Sequence, residues 1–287
     1  GVSIAMALSS GTGTLGGTTA RTTNSSGVAT FNDLSINLSG SKTLSATSAS
    51  YTPATSNSFI VSPATQRRIV VETQADGNGA IVPMQTVVSH SSIVVYAVTR
   101  DTFNNYVANA SAAWSLDSVQ GSVVGSDLVP FNANRAATFT AHLRGSAVIK
   151  ATLGSLTPIT SGALSVVSGS VSRLSFVQEP TNTAAGAIIN PAISVQLKDS
   201  IGNNSQISGV SIHLTMAGVG SLNGTTTRAT DASGLAVFND INITVAGVKT
   251  IFTSSGSLIP DSSAAFRIIP DTAASLLFVQ QPQNDTA

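Results

Sequence analysis

The chain of 287 residues has no cysteine. Disulfides, thiol chemistry and cysteine-ligated metals are therefore excluded, and the fold must stand without cross-links. Charge is nearly as scarce. Only 9% of the residues are charged, with 13 basic against 13 acidic side chains, where an ordinary soluble protein carries roughly 25%. No basic stripe exists, so neither a nucleic-acid footprint nor a polybasic membrane patch is expected. No run of about 18 apolar residues occurs, so no membrane span is expected either. The three histidines, His90, His142 and His213, show no metal-ligand spacing. No nucleophile elbow of the G-x-S-x-G type stands in a strand-to-helix context. Without a recognisable site constellation, the chain is read as not an enzyme.

What is present is 42% hydrophobic residues in a background of Ser, Thr, Asn and Gly. Val, Ile, Leu and Phe recur at regular spacing and can bury a core, so this is not a disordered composition. The shortage of Lys, Glu and Arg removes the usual material of exposed helix faces, while Ser and Thr suit strands and their turns. Gly1-Val-Ser-Ile-Ala-Met-Ala-Leu lacks a basic leading segment and aligns with a later strand, so it is read as a strand and not as a leader.

The chain repeats itself. Asn24-Ser-Ser-Gly-Val-Ala-Thr-Phe-Asn-Asp returns as Asp231-Ala-Ser-Gly-Leu-Ala-Val-Phe-Asn-Asp. In the same register Phe31 falls on Phe238, Asp33 on Asp240, Lys42 on Lys249 and Phe59 on Phe266. Gly1-Val-Ser-Ile matches Gly209-Val-Ser-Ile, with one residue inserted near Ser10. The middle is a more distant copy: Arg100-Asp101 falls on Lys198-Asp199, and Asn105 on Asn203. Near the end, Leu276-Leu-Phe-Val-Gln-Gln-Pro repeats Leu174-Ser-Phe-Val-Gln-Glu-Pro. The boundaries that follow are the later part of a repeat at 1–63, complete repeats at 64–168 and 169–270, and the opening strand of another at 271–287.

Within 169–270 the apolar residues alternate. Leu174 and Phe176, then Ile193, Val195 and Leu197, then Val210, Ile212 and Leu214 read as inward positions. Leu235 and Val237, Ile241 and Ile243, Val248 and Ile251, and residues 265–269 follow. Turn clusters such as Asp199-Ser-Ile-Gly-Asn-Asn and Asp231-Ala-Ser-Gly separate the runs. About seven short strands in roughly 100 residues is the size of an immunoglobulin-like β-sandwich. In 64–168 the second strand has two possible registers. Val95, Ala97 and Thr99 follow the alignment, Val94, Tyr96 and Val98 make the more apolar face, and a bulge could reconcile them. The expected fold class is all-β: tandem immunoglobulin-like β-sandwich domains on short, partly proline-stiffened junctions, arranged as an elongated rod.

Lys198-Asp-Ser-Ile-Gly-Asn-Asn, Gly209-Val-Ser-Ile-His-Leu, Thr230-Asp-Ala-Ser-Gly-Leu-Ala-Val-Phe and Gly247-Val-Lys-Thr together resemble the bacterial immunoglobulin-like repeats of invasin and intimin type. Those repeats carry a D-x-x-G-N turn, a strand opened by G-V, and a T-D-x-x-G-x-A turn. The resemblance covers essentially the whole chain. It is weaker over 64–168, where Asn104 replaces the turn glycine and the T-D-x-x-G sequence is missing. It implies a secreted, extracellular segment of a bacterial cell-surface stalk, adhesin or fibre. It implies no binding site, since most such repeats are spacers.

Asp199, Asn203, Asp231, Asn239 and Asp240 are oxygen-bearing residues of the type that binds calcium. The competing reading is that Asx residues at turns hydrogen-bond their own backbone, and no Asp-x-Asp-x-Asp loop is present. No cofactor is expected beyond that weak calcium candidacy. The single tryptophan, Trp114, aligns with Ile212 and Ile4 and is expected in a core. The threonine-rich Gly17-Thr-Thr-Ala-Arg-Thr-Thr and its copy at Gly224 read as strands with a solvated face. Asn24, Asn37, Asn109, Asn203, Asn223, Asn242 and Asn284 stand in glycosylation sequons, which chance alone produces in so Ser/Thr-rich a chain. The residues expected to matter are Phe31, Phe59, Trp114, Phe176, Phe238 and Phe266 in cores, with Gly27, Gly40, Gly234 and Gly247 at turns.

The reading that results is a stalk or filament segment. The alternatives are a glycan- or receptor-binding module on the divergent middle repeat, and an accessory domain of a large secreted enzyme. The expected partners are neighbouring repeats of the same or an identical chain. The cut-open repeat has two readings. The 287 residues are a window on a longer chain, the preferred one because 271–287 supplies only a first strand. Or residues 271–287 pair, as an added strand, with residues 1–63 of the next copy.

Overall fold

In the computed structural model, which describes residues 1–273 and 275–284, every regular element but one short 3-10 turn at Gly125–Asp127 is a β-strand. The chain divides into two compact units, Gly1–Val167 and Ser168–Ala287.

The first unit holds two separate sets of sheets. In residues 1–63 the strands run Ala20–Thr22, Ser3–Ser10, Gly40–Ser48, Tyr51–Thr55, all antiparallel, and Phe59–Val61 also pairs with Gly40–Ser48. Residues 68–167 form two facing sheets. One has the order Leu128–Phe131, Ala136–Thr140, Ser92–Arg100, Arg68–Glu72, Thr157–Ile159. The other has the order Ala113–Gly121, Gly145–Thr152, Leu164–Val167, Gln85–Val88. The first strand pairs in parallel with the start of the last, Arg68–Glu72 with Thr157–Ile159. After a break the chain crosses to the other sheet, where Leu164–Val167 pairs in parallel with Gln85–Val88. This order, with a last strand that changes sheets, is that of an immunoglobulin-like sandwich. Its core lies between Ile69, Val71, Val95, Ala97 and Phe139 on one side and Val87, Ile149 and Leu164 on the other.

The two registers of Ser92–Arg100 are resolved without a bulge against Arg68–Glu72. Val95, Ala97 and Thr99 are fully buried, whereas Val94 is 43% exposed. Val98 is buried as well, which is why its face looked the more apolar in sequence.

The second unit repeats the plan. Val171–Gln178, Ile193–Asp199 and Leu235–Phe238 form one sheet. Thr183–Ala184, Phe266–Ile269, Gly247–Ser254, Ser211–Ala217 and Thr227–Ala229 form the other. Leu174, Ile193, Val195, Leu197, Ala236 and Phe238 meet Ile212, Leu214, Ile251, Phe266 and Ile268. Burying each such large aliphatic or aromatic side chain is worth about 1.5–3 kcal/mol.

Several core expectations need correction. Val237 and Val248 are 41% and 63% exposed, while Ala236, Phe238 and Lys249 point inward. Side chains alternate along a strand, so once Phe238 faces the core Val237 cannot, and once Lys249 and Ile251 face it Val248 cannot. The lysine, rather than the valine, occupies the inward position. Phe59 is 37% exposed, and Phe31, Trp114 and Phe176 are half-buried. The Trp114 indole rests against the core and donates its Nε1–H to Asn134 O at 2.9 Å. Phe59 and Phe31 are uncovered for a simpler reason. In residues 1–63 the counterpart of Leu235–Phe238, residues 28–31, is not in a strand, and no counterpart of Val171–Gln178 or Ile193–Asp199 is present among them.

Candidate functional site

Three kinds of polar clamp recur along the chain, each built on an Asp or Asn singled out in the sequence. The first closes the turn before Leu235–Phe238. Asp231 Oδ1 accepts the N–H of Ser233 at 2.8 Å, the hydroxyl of Ser233 at 2.6 Å and the N–H of Leu235 at 3.1 Å. In the other copy Asn24 Oδ1 accepts the N–H groups of Ser26 and Val28 at 2.9 and 3.0 Å. One side-chain oxygen suffices, whether it belongs to a carboxylate or an amide. The Ser233 hydroxyl and the Leu235 N–H hold the Asp231 carboxyl below its usual range.

The second clamp gathers the threonine-rich strand. Asp33 Oδ2 accepts the Thr18 hydroxyl at 2.6 Å and the Thr18 N–H at 3.1 Å, and Arg21 reaches Oδ1 at 2.9 Å. Asp240 does the same with Thr225, at 2.6 and 3.1 Å, and pairs with Arg228 at 3.2 Å. The Thr18 hydroxyl, with Arg21, pulls the Asp33 carboxyl down to about 2. Glycine is required beside this clamp. A Cβ on Gly17 would stand 2.2 Å from Asp33 O, and one on Gly224 would stand 2.3 Å from Asp240 O, closer than atoms can approach. Both glycines also hold φ near +95°.

The third clamp lies where a repeat begins. Asp101 is fully buried. Its carboxylate accepts the N–H groups of Phe103 and Asn105 at 2.8 and 2.9 Å and the Asn105 Nδ2–H at 2.8 Å. It also accepts the N–H of Ala64, in the junction that leads out of residues 1–63, at 2.9 Å. Asn105 then reaches into the preceding repeat. Its Oδ1 accepts the Ser39 N–H at 2.9 Å, and its Nδ2 donates to Asn37 O at 2.9 Å. Six residues thus tie three segments: the loop itself, the junction and the turn at 37–39. Arg100, one residue earlier, braces the loop from below. It pairs with Glu72 in the buried interior and donates to Asn104 O and Gly77 O.

The second unit builds the same loop. Asp199 Oδ1 accepts the N–H groups of Ile201, Gly202 and Asn203, and Oδ2 accepts Asn203 Nδ2–H at 2.9 Å and the Gly169 N–H at 3.0 Å. Gly169 stands in its junction as Ala64 stands in the other. Burial pushes the Asp199 carboxyl up. The Asn203 amide and the N–H groups of Gly169, Asn203 and Gly202 outweigh that and bring it to about 2. Asp101 is lowered by the same balance. A carboxylate accepting several N–H bonds is stabilised in its charged form.

The calcium candidates are therefore distributed as follows. Asp199 and Asn203 are brought together, but as acceptor and donor. Asp231 and Asp240 head separate turns. The Asn239 amide oxygen accepts Arg228 Nη2–H at 2.8 Å. Both carboxylate oxygens of Asp199 and of Asp240, Asp231 Oδ1 and Asn239 Oδ1 accept N–H or O–H donors. Among the described residues no group of three or more His, Asp or Glu side chains is placed to hold a metal ion.

Two structural residues that the repeat alignment pairs turn out to be buried, which sequence reasoning missed. Lys42 and Lys249 are 1% and 2% exposed, among the largest fully enclosed side chains of the chain. Their Nζ groups are capped by main-chain carbonyls. Lys42 donates to Ser39 O at 2.9 Å; Lys249 donates to Val219 O at 2.7 Å and Ala246 O at 3.5 Å. The signal was available: the Gly-x-Lys-Thr sequence returns intact in both copies while its neighbours vary.

No protein-family model matches the chain, and no curated protein matches it. Solved structures do. The adhesin FdeC of Escherichia coli is similar at 14% identity over 90% of this chain and 84% of that one, with a TM-score of 0.39. The adhesin InvE of Yersinia pseudotuberculosis is similar at 16% identity over 65% and 56%, with a TM-score of 0.27. A β-glucuronidase of Parabacteroides merdae is similar at 17% identity over 71% of this chain and 25% of that one, with a TM-score of 0.26. Each is a distant likeness, and the immunoglobulin-like assignment rests on the strand order.

Proposed function

We propose that this chain is a stalk segment of a secreted bacterial surface protein, in which tandem immunoglobulin-like repeats hold a distal part at a distance from the cell. The observation that carries this reading is the clamp of Asp101 and Asn105. An independent binding module needs no such device. A distance-setting series does, because a loose junction would collapse its reach. The clamp recruits the loop at 101–105, the junction at Ala64 and the turn at 37–39 into one hydrogen-bonded unit. The low charge and abundant hydroxyls supply a neutral, hydrated surface that neither steers nor attracts charged partners. The work of such a segment is geometric, and its working parts are turns and joints rather than a pocket.

The test is surface labelling. Antibody raised against the folded chain is applied to intact cells of the source organism, before and after permeabilisation. Labelling of intact cells supports the reading. Signal that appears only after permeabilisation disproves it. A second measurement addresses the joint: ¹⁵N relaxation of residues 1–167 should give one tumbling time for 1–63 and 64–167, and Asn105→Ala should split it into two.

A further inference from the structure

The strand Arg68–Glu72 turns Ile69 and Val71 into the core of the middle repeat, so Arg68, Val70 and Glu72 stand on its outer face. On that face Arg68 is the cross-strand neighbour of Arg100. Two like charges side by side on a sheet are unfavourable unless they are countered. One carboxylate is at hand, and Arg100 takes it. Its Nη2 donates to Glu72 Oε2 at 2.8 Å, and its Nε pairs with Oε1 of the same group. Among the described residues no carboxylate pairs with the half-buried Arg68 or with its exposed neighbour Arg67.

Two hollows adjoin at this arginine. One, of about 510 Å³, is lined by Gln66, Arg67, Thr102, Ser155 and Thr157 together with Arg68. The other, of about 270 Å³, runs over Val70 and the Glu72–Arg100 pair, with Ile81 on its wall. Arg68 and Ile159 line both. All of these residues belong to the complete repeat 64–168. The acid that borders the larger hollow, Asp101, is fully buried, and its two oxygens are occupied by N–H groups. The floor is therefore neutral, and the rim carries two positive charges without counter-ions. Amide and hydroxyl side chains flank those charges, and apolar side chains form the wall.

The second unit settles the same position differently. Arg173 and Lys198 stand opposite each other there, as Arg68 and Arg100 do here. Ser263 Oγ accepts the Ile251 N–H as Ser161 Oγ accepts that of Ile149, and in this register Asp261 takes the place of Ile159. Asp261 reaches the strand, accepting the Phe176 N–H at 2.9 Å, and supplies the negative charge that the middle repeat lacks. Lys198 turns aside to Gly202 O and Asn204 Oδ1. We propose that the face of the middle repeat around Arg68 binds an acidic oligosaccharide, one that carries a carboxylated or sulfated sugar. Arg68 and Arg67 take the anionic group, for which the guanidinium fork is the matching donor. Gln66, Thr102, Ser155 and Thr157 take sugar hydroxyls, and Val70 and Ile159 meet the apolar side of a ring. The zero net charge of the chain does not oppose this, since pairing at contact distance needs no long-range field. The assignment stands on the middle repeat alone and does not depend on the stalk reading.

The test is calorimetric titration of the whole chain at low salt with four probes: a galacturonate tetramer, a sulfated galactose tetramer, a neutral galactose tetramer and inorganic sulfate. Two variants accompany it. Arg68→Gln removes the charge. Ile159→Asp leaves both arginines in place and installs the carboxylate that the second unit carries. The urea transition of Trp114 fluorescence checks that each variant is folded. The expected result is binding of at least one acidic tetramer, with the preferred one naming the anionic group, and no binding of the neutral tetramer. Each variant should weaken that binding at least about tenfold. Four results overturn the proposal: neither acidic tetramer binds, the neutral tetramer binds equally well, both folded variants bind as the parent does, or sulfate alone binds as tightly as the tetramers, which would leave a simple anion site.

Discussion

Residues 1–63 and 209–270 carry nearly the same sentence in two settings, one without and one with a facing sheet. The apolar positions respond completely. Phe238 is 0% exposed while Phe31 is half-buried, and Phe266 is 5% exposed against 37% for Phe59. The polar clamps persist in both settings. Asn24 closes its turn as Asp231 does, Asp33 holds Thr18 as Asp240 holds Thr225, and Lys42 is as enclosed as Lys249. Burial of apolar surface is a property of two sheets together, whereas the clamps are made by residues within a short span of one sheet and form without the other. Local polar structure of this kind therefore does not require the closed core.

The sharpest way to break that comparison is to truncate the paired phenylalanines. Phe238→Ala should cost about 3–5 kcal/mol in the second unit, since it empties a closed core. Phe31→Ala should cost less than half of that. Urea unfolding followed by far-ultraviolet circular dichroism measures both. All the tryptophan and tyrosine of the chain lies in the first unit, so the fluorescence transition of Trp114 should be unmoved by Phe238→Ala. A comparable loss at both positions would mean that residues 1–63 have a closed core after all.

Acid comes next. The Asp199 carboxyl sits at about 2 in the fold and near 3.9 in an unfolded chain. The folded value is the lower one, so its contribution of about 2 kcal/mol is complete above roughly pH 4. It disappears as the pH falls from there towards 2. Asp199→Asn should flatten this acid limb of the stability curve for the second unit, and an unchanged limb would assign it to other carboxylates.

The lysine pair should give a smaller and equal effect. Lys249→Met keeps the stem and removes the ammonium from its carbonyls, at a cost of about 1–3 kcal/mol. Lys42→Met should cost the same, because its enclosure does not need the facing sheet. A large difference between the two would show that the second sheet tightens the clamp. The smallest effect is expected at Asp231→Asn. The amide oxygen closes the turn in the other copy, so the unfolding midpoint should stay within measurement error.

The sandwich and its turns were legible in sequence because strand periodicity and turn chemistry are both short-range signals. The phase of two strands was not. Val237 and Val248 look like core residues until one learns that Lys249 can point inward, and that depends on carbonyls at 219 and 246 which only the folded turn presents. The residues of the joint were legible as a type and not as an act. Asp199 and Asn203 were correctly seen as oxygen-rich, yet the partner that gives the loop its meaning, the junction N–H of Gly169, lies thirty positions away.

The enclosed lysines also alter what reagents and enzymes can do to this chain. An amine held against carbonyls inside a turn is closed to acylating labels and to a protease that must seat a lysine side chain in its own pocket. Of the four lysines, an amine-reactive probe should reach Lys150 and Lys198 and pass over Lys42 and Lys249. In a protein already poor in basic residues, that leaves long stretches of backbone with nothing for trypsin-like enzymes to grip.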